Sequence, residues 1–321
     1  MKMQFSPTYI KIQWGFIFSI IAIDVIWTSL DSFTYLYNVA DLIFTFTILG
    51  FFLSIYFVYA YIRPDNRLKT TMMTIFLFLF FSLCVDLYCY LVYSTNMPLV
   101  TGTLDYVDSL FGFNALNLVI WMKAHPFWDH FFGTVYNVFA FQVILIFFYF
   151  GFYKSPLNFQ RFALLYMISL FLTISVGGLF PAIGTHAWYH FQATPTQLSE
   201  LDHLFVLRQK IISFKGSDAL VEFPSYHTTL SLIYIYIFRY ESKLIFIPLA
   251  LLNILIVFSC LSHGGHFLVD ILGGIVIFFG TIWGENLIYK AVKKYGTISN
   301  LIASEFKKKQ SPSRYVSETA T

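Results

Sequence analysis

The sequence predicts an all-α, polytopic membrane bundle of about eight transmembrane helices. Three observations predict it. Only 12% of the 321 residues are charged, while 58% are hydrophobic and 21% aromatic; a soluble domain carries about 25% charged residues. Apolar stretches of roughly 18 residues or more recur, each long enough to cross about 30 Å of hydrocarbon. Runs such as residues 75–81 lack the apolar–polar alternation of a barrel strand, which leaves helices as the way to satisfy the backbone in lipid.

The predicted spans are 13–30, 42–62, 71–93, 131–152, 162–181, 225–240, 244–262 and 266–289. No A-x-A-like cleavage pattern follows residues 16–30, so the first run is expected to be a retained helix. Two connecting segments are long, 94–130 and 182–224. Within the first of these, residues 107–122 are apolar but carry Asp108, Asn114 and Asn117. They are expected to form one helix lying on the membrane surface, with Trp121 and Trp128 as headgroup-level anchors. Cys84 and Cys89 share one apolar run and Cys260 stands alone, which implies no disulfide framework.

Charge asymmetry orients the bundle. With the N-terminus cytoplasmic, the inner segments and the tail hold 16 of the 20 lysines and arginines. The outer segments hold Lys123, Arg208, Lys210 and Lys215. The net charge of +3 therefore reflects a segregated distribution; the tail from Lys290 onward reads as a topology determinant beside anionic lipid, and no nucleic-acid partner is expected.

That orientation brings two histidine motifs to the outer face. His266 and Asp270 are four residues apart at a helix start, so they share a face. A carboxylate there can hold one imidazole nitrogen and leave the other free to attack. Gly264 and Gly265 just before them allow a close backbone approach, and the helix N-terminal amides are expected to be open to an anion. Pro224-Ser225-Tyr226-His227 opens an earlier span, with Pro224 suited to a helix entry and Ser225 to capping it or to donating to a phosphate oxygen. Two histidines at one face suit phosphoryl transfer: one attacks phosphorus to form a phosphohistidine, and the other protonates the leaving oxygen. Arg208, Lys210 and Lys215, in the loop before the second motif, are the candidate cations for the phosphate oxygens, Arg208 first because of its planar fork.

Phe223-Pro224-Ser225-Tyr226-His227-Thr228 and Gly264-Gly265-His266-Phe267-Leu268-Val269-Asp270 resemble the second and third signature motifs of the type 2 phosphatidic acid phosphatase superfamily. They are similar to its branch around inositol phosphorylceramide synthase, as is Pro181-Ala182-Ile183-Gly184. The resemblance covers about residues 125–290 and implies a six-helix core of that kind, with residues 1–70 as an N-terminal two-helix extension, 71–290 as the catalytic core and 291–321 as a basic cytoplasmic tail. It implies that His266 is the nucleophile, Asp270 its orienting carboxylate, His227 the acid and Ser225 a phosphate contact. It also implies a lipid phosphate substrate and catalysis without a metal or other cofactor.

Two departures stand out. The third motif usually reads SRxxxxxHxxxD; Ser259 keeps the serine, but Cys260 replaces the arginine. The first motif, a lysine followed after six residues by Arg-Pro, is absent before Pro224, and Arg63-Pro64 falls on the other face. Arg208, Lys210, Lys215 and His263 are the substitutes by position. The expected activity is a lipid phosphate or pyrophosphate phosphatase, with a phosphotransferase acting on a lipid alcohol as the alternative. A transporter is the non-enzyme alternative, disfavoured because the ionisable groups cluster at one face and no inverted repeat is seen. A zinc site of His263, His266 and Asp270 is disfavoured by the spacing across two glycines. Asp24 and Asp86 lie inside spans, where acids are costly; they are expected either to line a lipid-entry cavity or to make packing hydrogen bonds. The outer segments carry no Asn-x-Ser/Thr sequon, which fits a bacterial inner membrane with a periplasmic site.

Overall fold

A computed structural model describes residues 6–191, 193–214 and 220–310. The chain divides into two compact units, Met1–Thr281 and Ile282–Thr321; the described part of the second is the continuation of the last helix.

The first unit is a helical bundle. It opens with α1 (Ser6–Leu30), a short strand β1 (Thr34–Leu36), α2 (Val39–Phe57, prolonged by a wider π-helical turn to Ile62) and α3 (Asn66–Tyr93). Polar side chains start these helices: Asn38 accepts the Ala40 amide, and Asp65 accepts those of Arg67 and Leu68. Next come α4 (Thr101–Leu110), α5 (Ala115–Ala124), α6 (Pro126–Val138) and α7 (Phe141–Ile146, prolonged by π-helical turns to Tyr153). Then follow α8 (Pro156–Leu179), α9 (Thr185–Trp188), α10 (Pro195–Leu207) and β2 (Ile211–Ser213). The last three helices are α11 (Tyr226–Phe238), α12 (Lys243–Ser262) and α13 (Leu268–Gln310).

Among the described residues six helices are long and apolar enough to cross a membrane, and α6 with α7, bent by 44°, form a broken span or a re-entrant pair. This is a multi-pass membrane protein. The sixth predicted span, 225–240, is shorter than expected: α11 has 13 residues, about 20 Å at 1.5 Å per residue, because Ser225 caps its start and Arg239 ends it. The single span predicted for 131–152 is instead the bent α6–α7 pair. The surface helix predicted for 107–122 is two helices, since the chain turns at Gly112 with φ of +70°. The segment 182–224 also has structure that hydropathy does not reveal. A capping box of Thr194 and Gln197 starts α10, and β2 pairs parallel with β1, Tyr35 opposite Ile212.

The core lies between α3 and α8. Phe78 and Tyr166 bring their ring centroids to 4.3 Å, and α1 adds the buried Ile17 and Ile20. The helices come so close at one point that a Cβ on Gly178 would collide with Val92 Cγ1. The bundle also segregates its ends. At one, Arg67 reaches the Gly151 carbonyl at 3.4 Å and Lys154 pairs with Glu241 at 3.2 Å. At the other, the Val100 amide bonds to the Pro181 carbonyl at 2.9 Å and that of Ile183 to Thr101 Oγ1 at 3.0 Å, so the two long connecting segments meet each other.

Asp86 lines a cleft of about 460 Å³ beside α2, together with Asp41, Thr45, Ser82 and Tyr90. Asp24 is buried at 4% exposure, and its Oδ1 has no partner among the described residues.

The close approach at Gly178 generates a test. Gly178→Ala is expected to destabilise by roughly 1–3 kcal/mol through overpacking, and Val92→Ala in the same chain to recover much of that loss. Thermal unfolding of the two single variants and the double variant in detergent measures the coupling; strict additivity would refute the contact.

Candidate active site

The end of α12 and the start of α13 are joined by residues 263–267. Gly265 adopts a φ of +74°, a left-handed conformation suited to glycine, and its carbonyl accepts the Thr185 amide at 2.7 Å. This turn points His266 inward, at 3% exposure. Its Nδ1 lies 3.3 Å from Asp270 Oδ2, which also accepts the Phe267 amide at 2.8 Å. The helical spacing thus brings histidine and carboxylate together. With Nδ1 facing a carboxylate, the proton sits on that nitrogen and Nε2 keeps its lone pair.

His227 lies in the first turn of α11, its ring centroid 6.1 Å from that of His266. Tyr136 and Phe139, at the bend between α6 and α7, pack on it with centroids at 4.9 and 4.4 Å. Ser225 is fully buried, and its amide donates to the Asp270 backbone carbonyl at 3.0 Å, which ties the two motifs directly. Its Oγ accepts the Thr228 amide at 3.4 Å and the Thr228 hydroxyl at 3.2 Å. The helix-cap reading of Ser225 therefore describes its present partners.

Two carboxyl groups escaped the sequence reading. Asp108 reaches across 160 residues to accept the Leu268 amide at 2.7 Å and that of Val269 at 2.8 Å. This corrects the expectation that Gly264 and Gly265 leave the α13 amides open to an anion: Asp270 takes the amide of Phe267, and Asp108 takes the next two. Burial pushes the Asp108 carboxyl up, and the two amides pull it down. Glu222, just before the Pro-Ser-Tyr-His motif, has its Oε2 3.7 Å from His266 Nδ1. Burial, with Glu200 and Asp270 nearby, pushes its carboxyl well above the ordinary range. The only sequence signal for either is an acid in an apolar setting.

The structure gives the expected cations protein partners of their own. Arg208 gives Nη2 to the Met97 carbonyl at 2.7 Å, and burial lowers its pKa. Lys210 pairs with Asp31 at 2.6 Å, beside the two strands. Lys215 lies outside the described residues. His263 sits next to the site, but its Nε2 faces Asp129 at 3.2 Å, and Lys123 closes on the same carboxylate at 2.9 Å. Burial lowers the His263 pKa, and Asp129 opposes that shift. Cys260, at the arginine position of the third motif, is fully buried with Sγ against the Ile256 carbonyl at 3.2 Å; a thiol there brings no positive charge. Among the described residues no group of three or more His, Cys, Asp or Glu side chains is arranged to hold a metal ion.

Two predictions follow from these carboxyl groups. Asp108→Ala leaves two amides unpaired at a buried helix start, which costs about 1–3 kcal/mol; thermal unfolding should show it, and Asp108→Asn should recover part of the loss by keeping one acceptor. For Glu222 the folded protein retains a proton that the unfolded chain releases. Its contribution therefore lowers stability as pH rises from the ordinary glutamate value of 4.5 toward the raised value. Glu222→Gln is expected to melt higher than wild type at about pH 8, with the difference vanishing as pH falls to the ordinary range. Parallel melting curves at all pH values would mean that Glu222 ionises normally.

No curated protein and no solved structure matches the chain. Residues 102–284, more than half of it, match the PAP2 superfamily. The matched stretch runs from α4 into α13 and contains both histidine motifs, Asp108 and Glu222. The chain belongs to the PAP2 superfamily, whose members are typically phosphatases.

Proposed function

We propose that this protein is an integral membrane enzyme that removes phosphate from a lipid phosphate or pyrophosphate through a phosphohistidine on His266. The observation that carries the reading is the pairing of His266 with Asp270 at 3.3 Å beside a second imidazole whose ring centre is 6.1 Å away. His266 Nε2 attacks phosphorus, the bond from phosphorus to the leaving oxygen breaks, and His227 gives that oxygen a proton. Water then attacks the phosphohistidine, passing its proton to His227 as the P–N bond breaks. Asp270 holds the imidazole in the attacking orientation and balances the charge it gains. No metal or other cofactor takes part in these steps.

An alcohol in place of water makes the same chemistry a phosphotransferase. The likeness of residues 223–228 and 264–270 to the inositol phosphorylceramide synthase branch favours this second reading, as does the thiol of Cys260 where the motif usually has arginine. In both, residues 71–290 form the catalytic core, 1–70 an N-terminal extension and 291–321 a cytoplasmic tail. The segregation of lysine and arginine supports a site on the extracytoplasmic face, which in a bacterium is the periplasmic face of the inner membrane.

The test is phosphate release from a panel of lipid phosphates and pyrophosphates in detergent with excess chelator. Wild type is expected to release phosphate, His266→Ala to release none, and His227→Ala to be slower by roughly 10²–10⁴-fold. Activity in His266→Ala equal to wild type would end the phosphohistidine reading. Release only when an alcohol acceptor is added would select the transferase.

A further inference from the structure

We propose that Glu222 is a second positioning residue for His266, packed against Nδ1 on the side that Asp270 does not cover. The inference rests on the reading of His266 as nucleophile and adds a residue that the histidine motifs do not contain.

The geometry carries it. Nδ1 has Asp270 Oδ2 at 3.3 Å and Glu222 Oε2 at 3.7 Å, so two carboxyl groups bracket one nitrogen. The Glu222 side chain is 13% exposed and is closed in by the chain that follows α8. A Cβ on Gly184 would lie 2.7 Å from Glu222 Oε1 and 2.6 Å from His186 Cε1. The backbone at Gly184 thus presses on the carboxyl and on the His186 imidazole together, and the carboxyl has no room to swing away on that side. His186, Gln197 and Glu200 line the same small chamber.

Charge assigns the protonation state. The groups facing Glu222 are Tyr93 of α3, Tyr136 of α6, His186 of α9, Glu200 of α10, and Asp270 and His266 at the start of α13. Glu200 and Asp270 are acids, and a further ionised carboxylate beside them is disfavoured in a buried setting. A neutral carboxyl packed 3.7 Å from Nδ1 adds no charge there and limits rotation of the ring. A nucleophile turned by even 1 Å can lose about 10²-fold in rate, so a second contact on Nδ1 belongs to the chemical step and not to substrate binding.

The experiment uses the full-length protein in detergent. Steady-state kinetics are measured on the lipid phosphate or pyrophosphate that wild type turns over fastest, for Glu222→Ala, Glu222→Gln, Asp270→Asn, Asp270→Asn with Glu222→Ala, and His266→Ala. Glu222→Ala is expected to lower kcat by about tenfold or more with KM within about twofold, the pattern of a lost transition-state contact. Glu222→Gln, neutral and of the same shape, is expected to retain most of kcat. Glu222→Ala is expected to cost much less in the Asp270→Asn background, because both groups act on one nitrogen. The proposal is overturned if Glu222→Ala keeps kcat within about twofold, if its loss lies wholly in KM, or if Glu222→Gln is as slow as Glu222→Ala. A fully active His266→Ala would remove the underlying reading instead, so the two failures are distinct.

Discussion

The pairing of Asp108 with the first amides of α13 is the interaction on which the site depends. An α-helix that starts inside a protein leaves amide donors that must be bonded, and in a membrane bundle water is not freely at hand to bond them. Here α13 starts at the level of the catalytic motifs, and its first amides are met by Asp270 from its own first turn and by Asp108 from α4. One carboxylate thereby fixes the helix that carries His266 and Asp270, and it does so from the segment that hydropathy marks as a surface connection. The position of His266 is set by the chain between α3 and α6 as much as by its own motif.

This arrangement explains why some of the fold was legible in the sequence and some was not. The long spans were readable because lipid demands continuous apolar helix, and α3, α8 and α12 fall near the predicted limits. The meeting of His266 with Asp270 was readable because helical geometry alone sets an i, i+4 contact. The short α11 ends where charged residues begin, at Arg239, Glu241 and Lys243, and Ser225 caps its start. Asp108 and Glu222 were not legible, because each acts on residues far away in the chain or in a different element. The partners of Arg208 and Lys210 were hidden for a related reason. Closeness in sequence to Pro224 suggested closeness to the phosphate, whereas Arg208 turns to the Met97 carbonyl and Lys210 to Asp31.

The aromatic content has a local role here as well as a lipid-facing one. Tyr136 and Phe139 hold His227 between the bend of α6–α7 and the His266 ring. The bend thereby brings an aromatic wall to the second histidine where a straight span would pass it by. Gln142 and Asn253 exchange amide bonds of 2.8 and 3.3 Å just beyond that bend, so α7 is fastened to α12 by polar contacts while α6 remains shaped around the imidazole.

Charge segregation and site chemistry are two aspects of one constraint. Arg67, Lys154, Arg161 and Arg239 gather at the end of the bundle opposite the histidines, where they meet carbonyls, Glu241 and the Tyr236 ring. At the histidine end, Lys123 and Lys210 are bound to Asp129 and Asp31 in exposed pairs, which solvent screens. The buried acids there are therefore managed by other means. Asp108 is held by amides, Asp270 by an amide and an imidazole, and Glu222 by proximity to His266 and by a raised pKa. A neutral Glu222 spares that end of the bundle a further buried negative charge beside Asp270 and His266.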